Sequence, residues 1–131
     1  MEQPNLWMGP GTAAPRTMQT AAVNVACGGQ VCFDFKFTCE SCGDNSPCEG
    51  ADLYNEGVSL QWSTNAGATW TDMAYFAPNG NLLGAYPGAV TNPIASGATA
   101  FTTWHNYCFT IPAAAYSPST MFRLRQWGSS G

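Results

Sequence analysis

Cys39-Glu40-Ser41-Cys42, with Cys48 close by and the single His105 far along the chain, is the first group whose residue types could do chemistry. Three thiolates and one imidazole would make a tetrahedral donor set for zinc. Strong zinc sites bring two thiol pairs, however, and this chain offers one pair and one histidine. The cysteines are Cys27, Cys32, Cys39, Cys42, Cys48 and Cys108, six in all. In an oxidising compartment that even count reads as a disulfide framework of up to three bridges. Disulfides are therefore expected ahead of zinc.

The second group is acidic. Glu40, Asp44, Glu49, Asp52 and Glu56 are five of the eight acidic residues of the chain. Packed into one loop they repel one another, and a Ca²⁺ ion, which takes several oxygen ligands, would relieve the repulsion. The spacing is not that of an EF-hand, and a solvated acidic loop is the alternative. A glycosidase-like carboxylate pair has no frame here. His105, between Trp104 and Asn106, has no framed Ser or Cys nucleophile to serve, so it reads as an ordinary strand-edge histidine. The chain is expected not to be an enzyme.

Length and composition bound the setting for these groups. A chain of 131 residues suits one domain, spanning residues 1–131, with a genuine core. Charged residues make up 9%, against about 25% in ordinary soluble domains. Solubility must then rest on neutral polar side chains, as in extracellular β modules. The only basic residues are Arg16, Lys36, Arg123 and Arg125, and the net charge is −4. Nucleic-acid binding is not expected without a basic surface, and anionic membranes are disfavoured for the same reason. No apolar run is long enough to insert in a membrane. Met1-Glu2-Gln3-Pro4 is no signal peptide, so an export signal is expected elsewhere in a longer precursor.

The elements that must position these residues are strands. Val31, Phe33, Phe35 and Phe37 alternate with Cys32, Asp34, Lys36 and Thr38, giving one aromatic face and one polar face. Val23 and Val25 precede Gly28-Gly29-Gln30, and a turn there would set Val25 opposite Phe33 in a hairpin, a crossover between sheets being the alternative. Val58, Leu60 and Trp62 point inward, with Ser59, Gln61 and Ser63 outward. Residues 70–76 read as their partner strand, and 77–103 as irregular connection with a turn at Asn79-Gly80. Tyr107, Phe109 and Ile111 make a strand stopped by Pro112. In the last strand, 121–127, Phe122 and Leu124 face inward and Arg123 and Arg125 outward. By this parity Cys32 and Cys108 both point away from the aromatic core, which makes Cys32–Cys108 the first choice of bridge; one within 39–48 comes next. The fold class is all-β: an antiparallel two-sheet β-sandwich.

Ser63-Thr64-Asn65-Ala66-Gly67-Ala68-Thr69-Trp70 closely resembles the Asp-box, Ser-x-Asp-x-Gly-x-Thr-Trp. Its residues Ser63, Asn65, Gly67, Thr69 and Trp70 have the chemistry of a tight hairpin. The Asn side chain accepts backbone N–H groups across the turn, Gly67 supplies positive φ, and Trp70 is expected to fold back onto the core. The box recurs in sialidase propellers away from their catalytic centres, and one copy cannot close a propeller of about four blades or more. It is read as a turn device.

Glu56-Gly57-Val58-Ser59-Leu60-Gln61-Trp62-Ser63 leads into this box, and Thr120-Met121-Phe122-Arg123-Leu124-Arg125-Gln126 follows later. Together they resemble the subrepeats of reelin and the reelin-like jelly-roll modules of large secreted bacterial surface proteins. Leu6-Trp7 and Ala14-Pro15-Arg16-Thr17 with Thr20 resemble the opening strand of such modules. The resemblance implies a jelly-roll-like sandwich, here without the family's first and last strands, as a fragment of a larger multidomain chain. It also implies a structural calcium, with Asp52, Glu56 and Asp44 as candidate ligands.

The functional expectation is a non-catalytic, extracellular structural or adhesion module of a large secreted cell-surface protein, in contact with neighbouring modules. The alternative is a carbohydrate-binding module appended to a secreted hydrolase. Glycans would then stack on exposed indoles, for which Trp7, Trp104 and Trp127 are candidates. Asn45-Ser46-Pro47 fails as a glycosylation sequon and no other exists, which fits a bacterial source.

Overall fold

The computed structural model describes residues 15–37, 55–88 and 101–127. Seven strands occur among them: β1 (Arg16–Gln19), β2 (Gln30–Phe35), β3 (Val58–Ser63), β4 (Thr71–Phe76), β5 (Leu82–Leu83), β6 (His105–Thr110) and β7 (Met121–Gln126). A single 3₁₀ turn, Ala113–Ala115, links β6 to β7. The strands form two antiparallel sheets. One has five strands in the order β1-β7-β3-β4-β5, and the other pairs β2 with β6. The fold is all-β and sandwich-like.

The alternating apolar positions make the two sheets face each other. Val58 and Leu60 of β3, Ala74 of β4 and Leu124 of β7 are buried, with Val31, Phe33, Phe35 and Phe109 of the smaller sheet packed on them. Ile111, Ala115 and Phe122 close the other end, with Trp62 against them. Phe76, fully buried, is the aromatic hub. Its ring centroid lies 4.6 Å from Phe35, 5.0 Å from Tyr107 and 5.3 Å from Phe101, mostly edge-on. Each such contact contributes on the order of 1 kcal/mol beyond the area it buries.

Two details differ from the sequence reading. Residues 20–25 do not form a hairpin with β2. They run on along β7, where Val23 bridges Thr120 and the Val25 amide donates to the Ser117 carbonyl. The chain then crosses between the sheets at Gly28 (φ 79°) and Gly29 (φ 126°). The positive φ at Gly28 is what favours glycine in this passage, and a Cβ there would also push the exposed Tyr116 hydroxyl, 2.7 Å away, aside. The second is β5, which adds two residues to the edge of the large sheet inside the stretch read as irregular.

Candidate functional site: the outer face of the five-stranded sheet

The hairpin joining β3 to β4 delivers the first aromatic of this face. The Ser63 hydroxyl donates to Asn65 Oδ1 (2.8 Å) and accepts the Gly67 amide (3.0 Å). Asn65 Oδ1 accepts the Thr69 amide (3.0 Å), and Asn65 Nδ2 donates to Thr69 Oγ1 (2.8 Å). Ala66 and Gly67 both take positive φ, 57° and 83°, which is the twist of a tight hairpin. Trp70 does not fold into the core, as the sequence suggested. It sits half-buried on the outer face, under the guanidinium of Arg123, whose Cζ is 4.1 Å from the ring centroid. Trp70 lies just before β4, outside the strand alternation, and meets the outward-pointing Arg123 of β7.

A second stack lies alongside. Arg125 Cζ is 3.7 Å from the centroid of Trp127. On its other face, Trp127 stacks on Tyr86 at 3.9 Å and 9°. The Trp127 Nε1–H donates to Ser59 Oγ (2.8 Å), which fixes the indole across the strands. Polar links join the stacks. Arg123 Nε donates to Gln61 Oε1 (2.6 Å), Gln61 Nε2 to Asp72 Oδ1 (2.7 Å), and the Tyr86 amide to Asp72 Oδ2 (2.8 Å). Burial lowers the Arg123 pKa, the neighbouring Arg125 charge lowers it further, and Asp72 acts in the opposite direction.

A bulge makes this possible. Gln61 pairs with Asp72 while Leu60 pairs with Ala74, so Met73 is the extra residue of β4. The bulge turns Asp72 outward toward Gln61, while Met73 and Ala74 both join the core. Sequence reasoning missed this residue pair, because strict alternation puts Asp72 and Ala74 on one face. Ser59, Gln61 and Ser63 do occupy the outer face, yet they are buried rather than solvated. The covering groups, Trp127 and Tyr86, come from segments remote in the chain.

The other candidates are placed as follows. Cys32 and Cys108 form a disulfide across β2 and β6 on the exposed side, in register with each other. Cys27 is a free, exposed thiol among the described residues; it sits in the turn before Gly28, off the strand ladders. Cys39, Cys42 and Cys48 lie outside the described residues, as do Glu40, Asp44, Glu49, Asp52 and Trp7. Glu56 is half-buried just before β3. Beside it, Asn55 Oδ1 is buried and meets no hydrogen-bond donor among the described residues. These oxygens are of the kind calcium takes, so the residues present suit the ion in type. No group of three or more His, Cys, Asp or Glu side chains able to hold a metal occurs among the described residues. His105 is exposed and its ring lies 5.0 Å from Tyr107; among the described residues it has no carboxylate partner. Trp104 is exposed, with Lys36 Nζ 5.4 Å from its ring.

The sequence from residue 2 to residue 131 matches the family model of Reelin subrepeat B. The chain belongs to that family. A Reelin subrepeat is an extracellular-type module of a larger protein, and the β3, β4 and β7 strands that build the outer face lie within the match. Among curated proteins no match is found. No helix among the described residues is long and apolar enough to cross a membrane.

Proposed function

We propose that this Reelin subrepeat is a non-catalytic structural or adhesion module of a secreted or cell-surface protein, working through protein contacts. The observation that carries the reading is the state of the Trp127 stack on the outer face. Trp127 has Arg125 on one face and Tyr86 on the other, so neither face is free for a sugar ring. Meanwhile apolar side chains stand exposed at both edges of the large sheet, Met18 on β1 and Leu82 on β5. Exposed apolar groups of this kind suit contact with another protein surface. Carbohydrate binding is the second reading, favoured by Trp104, which presents an exposed indole just before β6.

A glycan panel and sedimentation analysis separate the two. Concentration-dependent association of the chain, with no saturable glycan binding, supports the protein-contact reading. Saturable glycan binding abolished by Trp104→Ala replaces it with the carbohydrate one. The calcium site is part of the same proposal, with Glu56, Asp52 and Asp44 as ligands and the Asn55 carbonyl oxygen beside them. Its role would be to neutralise the acidic segment and fix its approach to β3. A chelator should then lower the melting temperature, and calcium should restore it; an unchanged melting curve removes calcium from the account.

A further inference from the structure

Two of the four basic residues of the chain, Arg123 and Arg125, stand side by side on the outer face of β7. We propose that this pair docks the carboxylate side chains of an acidic protein segment. The inference rests on the protein-contact reading and gives the partner chemistry for one surface.

Geometry comes first. Residues two apart on a strand share a face at a separation of roughly 7 Å, which matches the spacing of acidic side chains on an extended peptide. Each guanidinium lies over an indole ring, Arg123 on Trp70 and Arg125 on Trp127. Side-chain freedom is thus restricted before any partner arrives, which lowers the ordering cost of binding. The planar fork of arginine matches a carboxylate in bidentate fashion.

Charge comes second. Among the described residues neither guanidinium has an ion pair. The neighbouring carboxylate, Asp72, is already engaged at both oxygens, by Gln61 Nε2 and the Tyr86 amide. Arg123 uses only its Nε, toward Gln61. Arg125 has no acceptor at all among the described residues, and its buried Nε is left unmet. Two like charges lie adjacent with no carboxylate bound to either, and burial with this repulsion disfavours the charged form of Arg123. An incoming carboxylate would offset both effects.

The surroundings favour a peptide over a polyanion. Opposite Arg125 and Arg123 on edge strand β1 are Thr17 and Gln19, both exposed. They extend the face with neutral hydrogen-bonding groups and no repelling charge. The remaining basic residues are elsewhere: Arg16 donates to Gln126 and Lys36 lies over Trp104. Nucleic acid or a sulfated glycan needs a continuous basic track, and two guanidiniums supply a local clamp.

The test uses the full chain and a fluorescent oligoglutamate peptide, followed by anisotropy at low and high salt. The expected result is saturable binding that weakens with salt and is absent for oligoglutamine. Arg123→Gln with Arg125→Gln should weaken it by about tenfold or more, the effect of losing charge-assisted hydrogen bonds. Because that change also removes two stacking partners, Thr17→Glu is the second variant. It places a competing carboxylate on an exposed position opposite Arg125 without removing either stack, and should abolish binding with the melting temperature not lowered. No saturable binding by the unaltered chain overturns the proposal, as does binding that survives Thr17→Glu. Binding of heparin in preference to oligoglutamate overturns it in favour of a sulfated ligand. Any of these failures leaves self-association, the readout for the broader protein-contact reading, to be judged separately.

Discussion

The two faces of the five-stranded sheet are both covered, by opposite means. The inner face is closed by hydrocarbon: Leu60, Ala74, Phe76 and Leu124 meet the aromatic ladder of β2 and β6. The outer face is closed by side chains that are planar and polar at once: Trp70 and Trp127 with Arg123 and Arg125 stacked on them, beside Tyr86, Gln61 and Asp72. Burial on the inner side is non-directional and scales with area. On the outer side it depends on geometry, because each buried polar atom needs its partner. A sheet covered in this mixed way can stay partly accessible and still be ordered.

The comparison can be broken from the inner side first. Phe76→Ala removes the ring on which five others meet and should cost about 4 kcal/mol, read as a drop in the urea midpoint. Phe76→Leu should recover much of that loss, because the requirement is apolar volume. The Cys32–Cys108 bridge closes a separation of 76 residues. Replacing both cysteines by serine should cost about 3 kcal/mol in the same measurement. A smaller loss is expected on the outer face. Trp127→Leu keeps apolar bulk but gives up the Arg125 stack and the Ser59 hydrogen bond, together about 2 kcal/mol. If leucine were tolerated there as leucine is at Phe76, the contrast between the faces would fail. The smallest effect is at the hairpin. Asn65→Ala should cost about 1 kcal/mol through its lost turn hydrogen bonds, and Asn65→Asp should stay close to neutral, since Oδ1 still accepts the Thr69 amide.

The inner face was the more legible in the sequence. Alternation placed Val58, Leu60, Phe122 and Leu124 correctly, and the same parity brought Cys32 and Cys108 together. On the outer face alternation placed Ser59, Gln61, Ser63, Arg123 and Arg125, but not what covers them. What covers it depends on a β-bulge at Met73 and on aromatic residues from distant segments, and neither leaves a periodic signal. The crossover at Gly28-Gly29 was hidden differently. Paired glycines serve a hairpin and a passage between sheets equally well, and the choice shows only in three dimensions, where Val23 and Val25 bond to Thr120 and Ser117 instead of β2. At the hairpin the turn chemistry of Asn65 and Gly67 could be read from residue types. The destination of Trp70 could not, because it lies outside the strand alternation and meets Arg123, more than fifty residues away.

The register of β1 against β7 has a mechanical consequence. Arg16 lies opposite Gln126, so the chain enters β1 and leaves β7 at the same end of the sheet. A pull on those two points loads the interstrand bonds one after another, as in opening a zip, rather than all together in shear. Yielding starts at this pair. The extension then released is limited, because β3, β4 and β5 all lie within the span closed by Cys32–Cys108. In an oxidising setting, such a pull would meet a soft first step at β1 and β7 and a covalent stop at Cys32–Cys108.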